Sequence, residues 1–135
     1  MSIASVRAAL ETKLATITPA IATAYENAPY TPVSGTPYQA CYLLPVTENP
    51  TMGDGYYRLA GIFQITLFYP LQTGPAAAAA RAELIRTAFK RGTSMVSGSV
   101  TVIVERTPDI LQGRVDGDRW ALPVRVRFFA GILNE

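Results

Sequence analysis

The chain contains no histidine, and Cys41 is its only cysteine. Those absences remove His-based triads, the usual zinc, haem and iron–sulfur sites, and any internal disulfide. Charge is scarce as well: 16% of the 135 residues are charged and 49% are apolar, where an average soluble domain carries about 25% charged residues. So little charge argues against a disordered or polyelectrolyte tail and points to surface covered by other subunits. The 12 basic and 10 acidic residues leave a net charge of +2, too small to imply nucleic-acid affinity by itself. Long hydrophobic runs are missing too. The Ala76–Ala80 stretch is interrupted by Arg81 and Glu83, far short of the roughly 20 apolar residues of a spanning helix. Met1-Ser2-Ile3-Ala4-Ser5-Val6-Arg7 has no unbroken apolar core, and Glu11 and Lys13 follow closely. No targeting segment and a cytoplasmic chain are therefore expected. The length suits one domain, 1–135, which can bury about two thirds of its unfolded surface.

What is present is patterned. Ile3, Val6, Leu10, Leu14 and Ile17 recur at helical spacing after Ser2, a plausible N-cap, which predicts a helix to about Thr16, closed by Pro19. Ile21–Glu26 reads as a short strand, and Asn27–Pro37, with three prolines and a glycine, as an irregular connection. Tyr38–Val46 is a second strand, with Pro45 at an edge or strand end. Thr47–Gly55 is a polar loop, long for a hairpin.

The clearest strand is the third, Tyr57–Tyr69. Leu59, Phe63, Ile65 and Leu67 alternate with Arg58, Gln64 and Thr66, so one face meets the core and the other is largely polar. Gly61 suggests a bulge or bend. A second helix is expected from Pro75 to Lys90, with Thr73 as a cap and Gly92 as its stop. Its apolar face would be Leu84, Ile85, Ala88 and Phe89, with Ala77 and Ala78 behind. Val100–Arg106 is a fourth strand. Asp109–Asp118 is turn-rich, with the pair Asp116-Gly117. In the last strand, Arg119–Ala130, Trp120, Leu122, Val124, Val126 and Phe128 share one face. The order α-β-β-β-α-β-β predicts an α+β two-layer sandwich: a mainly antiparallel sheet of about five strands with two helices on one face.

Candidate chemistry is thin. The acids are scattered over helix faces and turns, without the cleft-bound pair that acid–base catalysis needs. Asp116 and Asp118 flank a glycine and read as turn-formers rather than a cation site. Gly53-Asp54-Gly55 and Thr73-Gly74-Pro75 complete no phosphate-binding pattern. Cys41 lies in an apolar strand and reads as a small core residue. No catalytic residue, metal site or cofactor is assigned, and an enzyme is not expected.

Arginine is the informative charge, supplying ten of the twelve basic residues. Its planar guanidinium suits interfaces. Arg58, Arg125 and Arg127 fall on the face away from the helices, with Glu105 opposite some of it. Arg81 sits between Ile85 and Ala88 near the middle of an apolar stripe. It either snorkels past the sheet edge or enters an interface or buried ion pair. These four are the candidate subunit contacts. Phe68 and Phe129 beside Arg125 and Arg127 also raise RNA stacking, but the RNP-type sequence is missing and the element order differs.

Across nearly its whole length the chain resembles the tail terminator, or tail completion, proteins of long-tailed bacteriophages and prophages. The carriers are the opening helix from Ser2 to Leu10, Ala24-Tyr25-Glu26-Asn27 before the Pro-rich segment, and Leu67-Phe68-Tyr69-Pro70 before an Ala-rich helix. The closing Trp-bearing strand with Val124-Arg125-Val126-Arg127-Phe128-Phe129 completes the set. The resemblance implies an α+β subunit that forms a ring with itself, usually a hexamer, on the head-proximal end of the tail tube. Such a ring stops tube growth, joins a head-completion or connector protein, and belongs to the virion tail after assembly in the host cytoplasm. The exposed sheet face and mobile loops at Thr47–Gly55 and Thr107–Asp118 would meet neighbouring subunits and the tube. A head–tail connector, a tail tube subunit and a small nucleic-acid-binding module are the rival readings; no membrane and no specific nucleic acid are expected as partners.

Overall fold

A computed structural model describes residues 3–17, 21–26, 30–31, 35–45, 56–71, 76–98, 100–117 and 119–133. The expected Ser2 cap, the Pro19 stop, the loop at Thr47–Gly55, the Thr73 cap and Asp118 lie outside them. Helix α1 spans Ile3–Ala15. Its stripe is buried as the spacing requires, with Val6, Leu10, Leu14 and Ile17 all inside. The last turn tightens as Thr16 N donates to Lys13 O and Ile17 N to Leu14 O, which satisfies carbonyls the helix leaves open.

Helix α2 spans Ala76–Ala88, two residues short of the expected end, so Lys90 and Arg91 fall beyond it. Its buried stripe is Ala78, Arg81, Ala82, Ile85 and then Phe89. Leu84, expected inside, is 39% exposed. The stripe is rotated because a run of alanines gives hydrophobic periodicity little to lock onto. Arg81 does sit at its centre. Past the helix, Gly92 adopts φ 85°, the left-handed geometry that glycine tolerates without cost.

Among the described residues the sheet has eight strands rather than about five, and it is mixed. In chain order they are β1 (Ala22–Ala24), β2 (Tyr38–Pro45), β3 (Tyr56–Pro70), β4 (Ser94–Ser97), β5 (Val100–Val104), β6 (Asp109–Ile110), β7 (Arg114–Asp116) and β8 (Arg119–Leu133). Spatially the order is β1-β2-β3-β8-β5-β4, with β6 and β7 also on β8. β1 pairs with β2 in parallel, and the other pairings are antiparallel. β3 occupies one edge of β8 along its full length. The other edge is shared in succession by β7, β6 and β5. Strands of two to four residues show too few alternations to register as a period, so β6 and β7 lie within the segment expected as turns and β4 falls where no element is expected.

Residues on the inward face of the sheet join the helices in one apolar cluster. Phe63 of β3, Phe128 of β8 and Phe89 after α2 are its largest fully buried side chains. Phe63 and Phe89 meet at 6.1 Å between ring centroids, tilted by 54°, a favoured aromatic geometry. Gly61 forms no bulge: the β3–β8 register runs through it unbroken, and the β2–β3 pairing ends at it, opposite Pro45. Its role is close approach, since a Cβ there would lie 2.7 Å from the Leu44 carbonyl oxygen and 3.2 Å from the Phe128 ring.

Candidate subunit interface

The face of the sheet away from the helices carries three of the four candidate arginines. Period-two alternation puts Arg58 on β3, and Arg125 and Arg127 on β8, on that side. Each meets a different partner. The Arg58 guanidinium lies 4.7 Å from the Phe129 ring centroid and 3.5 Å from Glu105. Arg125 Nε donates to Gln64 Oε1 at 3.1 Å, and Gln64 Nε2 donates to Thr66 Oγ1 at 3.2 Å. Arg127 Nε stands 3.8 Å from Asp109 Oδ2, which Arg106 reaches at 3.3 Å. Among the described residues, then, Arg125 faces a neutral amide where Arg58 and Arg127 face carboxylates.

Arg81 is not on this face. It lies behind the sheet, 4% exposed, with Nη2 3.5 Å from Gln39 Oε1. Gln39 passes the contact on, donating to Thr23 Oγ1 at 3.0 Å. This polar chain links α2 through β2 to β1. Burial lowers the Arg81 pKa, with Tyr69 nearby, but an arginine keeps its charge regardless. The side chain does not snorkel.

The outer face is less polar than the sequence suggests. Tyr42 is 38% and Leu44 45% exposed, and Ile62, Phe68, Ile103 and Phe129 are half-buried beside them. Exposed aromatic and aliphatic side chains interleaved with arginine are the composition of protein–protein contact surfaces. Between β2, β3, β8 and β7 the face dips into an open basin of about 360 Å³, with Tyr42, Phe68, Arg114 and Pro123 in its lining. Thr107–Asp118 is expected as a mobile loop, but its residues 109–117 are tied to β8 by β6, β7 and the Leu111 N to Pro123 O bond.

One end of the face is braced by a cluster that residue spacing did not reveal. Arg119 is buried and donates to Thr36 O at 2.6 Å. Its guanidinium lies 4.9 Å from the Tyr38 ring centroid. Tyr38 stacks on Phe68 at 4.8 Å and meets Tyr30 at 5.1 Å. Only the Arg119 position at the head of the last strand hinted at it; its partners lie over 80 residues away in sequence.

Elsewhere the chemistry is quiet. Burial pushes the Cys41 thiol up to about 12, so it stays protonated and unreactive at neutral pH. Among the described residues no group of three or more Cys, Asp or Glu side chains is arranged to hold a metal ion. No described helix is long and apolar enough to cross a membrane.

Comparison with known proteins adds an independent line. A family model described as phage tail terminator protein matches residues 5–128. No curated protein matches the sequence. One solved structure, whose name carries no function, aligns over 100% of this chain and 99% of its own, at 24% identity and a TM-score of 0.79. A chain from the virion of a native gene transfer agent particle aligns over 96% of each, at 18% identity and a TM-score of 0.65. At these identities both are likenesses of fold.

Proposed function

This chain belongs to the phage tail terminator family, and from that premise we propose that it caps the head-proximal end of a tail tube as a ring of identical subunits. Its role in the tail is structural. The family match over residues 5–128 carries the reading. The outer sheet face supports it, because arginines beside half-buried aromatic and aliphatic side chains suit contact with other subunits. In this reading the chain folds as one domain, and its partners are further copies of itself, the tail tube protein and a head-completion or connector protein. It assembles in the host cytoplasm, probes no substrate and needs no cofactor. Arg58, Arg125 and Arg127 are the proposed contact residues, while Arg81 serves from inside by fixing α2 against the sheet.

A terminator must match the tube on one side and offer no tube-like surface on the other. The test is tail length by negative-stain electron microscopy after deletion of the gene from its phage or prophage. Overlong, headless tails that return to normal length on complementation are expected. Tails of normal length without heads would move the protein to a connector, and a complete lack of tails would make it a tube subunit or another early component.

A further inference from the structure

β2 is paired with β3 along one edge for its whole length; on the other, among the described residues, only Tyr38–Ala40 are covered, by β1. The strand reads Tyr-Gln-Ala-Cys-Tyr-Leu-Leu-Pro, without a single charge. An uncharged, β-prone segment at an open edge is a template on which another strand can add. Here the backbone donors on that edge are both removed. Successive N–H groups along a strand point to opposite edges, so beyond β1 the donor positions on this side are Leu43 and then residue 45. Leu43 N donates to Glu26 Oε1 at 2.7 Å. Residue 45 is a proline and has no N–H to give.

Glu26 lies two residues past the end of β1, so its side chain takes over where backbone pairing stops. It is held in place by Arg7 Nη1 at 2.8 Å, and Arg7 also reaches Glu11 at 3.7 Å. The Leu43 amide first, and the Arg7 guanidinium second, hold the Glu26 carboxyl below the usual carboxylate range. The nearby Glu11 carboxylate and Cys41 thiol face the same cluster from α1 and β2. At neutral pH an anion that is 32% exposed therefore stands where an incoming strand would place its carbonyl oxygens.

We propose that Glu26, clamped by Arg7 and backed by Pro45, is an edge guard that prevents a second copy of this chain from adding a strand along Leu43–Pro45. The guard is independent of the tail reading and would be needed by any carrier of this edge. Amide exchange at Leu43 tests it first: the wild-type amide should be protected, and Glu26→Ala should speed its exchange by about tenfold or more, the scale of a hydrogen bond to a charged group. In sedimentation velocity at rising concentration, Glu26→Ala should form species heavier than any the wild type forms. A Leu43 amide that exchanges freely in the wild type would overturn the proposal. So would a folded Glu26→Ala protein with the wild-type mass distribution. Free exchange of the Leu43 amide in the wild type overturns the proposal even where the variant does not fold.

Discussion

Individual residues in this fold are constrained by what lies a single methyl group away. A Cβ at Gly113 would sit 2.4 Å from the Trp120 indole, so Gly113→Ala must push the ring aside. Overpacking of this kind costs about 1–3 kcal/mol. Trp120 is the only tryptophan, so intrinsic fluorescence reports on it directly: the variant should show a shifted emission maximum together with a lower urea midpoint. Arg81 and Arg125 separate by the same logic. Arg81→Ala empties a buried site and strands Gln39, which should cost about 2–4 kcal/mol in denaturant unfolding. Arg125 is half-exposed and bonded to a neutral amide, so its replacement should leave the midpoint within about 0.5 kcal/mol of wild type. Glu26 gives the pH dependence. Its pKa is depressed in the folded state, so its stabilisation is complete above the ordinary carboxylate value of about 4.3 and is lost as pH falls through the folded pKa. Glu11, raised chiefly by burial, acts with the opposite sign at and above that value. The stability difference between wild type and Glu26→Gln should therefore shrink as urea midpoints are followed down in pH below that value.

Among the elements, β3 and β8 form the frame on which everything else is hung. They pair over 15 residues, whereas β7 holds β8 with three residues that are all exposed. Hydrogen exchange should rank accordingly, with the central β3 and β8 amides slowest and β7 opening well below global unfolding. Equal protection across β7 and β3 would contradict the ranking. The same contrast explains what could be read from the sequence. Leu59, Phe63, Ile65 and Leu67, and the even-numbered positions of β8, alternate long enough to fix both strands and their inward faces. The α1 stripe was legible for the same reason. Ser94–Ser97 and Arg114–Asp116 were not, because a strand this short is defined by its neighbour rather than by its own pattern. Gly61 was legible as special, but the reason is close approach to Leu44 and not a bulge. Glu26 left no signal, since its partner Leu43 lies across a parallel crossover, 17 residues on. Arginine abundance pointed to an interface; strand alternation set Arg58, Arg125 and Arg127 on the outer face and helical spacing set Arg81 in the apolar stripe of α2, but the Gln39 contact of Arg81 left no signal in the sequence.

For the whole molecule the question is which side faces another copy. The inner face is used up by the helices, so the outer face is where arginine, exposed Tyr42 and Leu44, and the basin can meet a neighbour. A closed ring needs two different, complementary patches on each subunit, and in the ring we propose the outer face would be one of them. Charge reversal there should therefore remove the ring without unfolding the chain. Arg125→Glu with Arg127→Glu is the strong variant, but Arg127→Glu would set a carboxylate close to Asp109, 3.8 Å from the present guanidinium, and so loosen β6 as well. Arg125→Glu alone keeps the Arg127 guanidinium beside Asp109 to offset the new charge; because residue 125 pairs directly opposite Asp109 on β6, some like-charge repulsion remains. Native mass spectrometry should show a ring for the wild type, a population shifted to monomer for Arg125→Glu, and monomer alone for the double variant, with circular dichroism unchanged for the single one. Added salt should shift the wild type the same way, since contacts between partly exposed charges weaken once the Debye length falls below about 10 Å. Rings that persist through both the double reversal and high salt would place the subunit contact on another surface of the molecule.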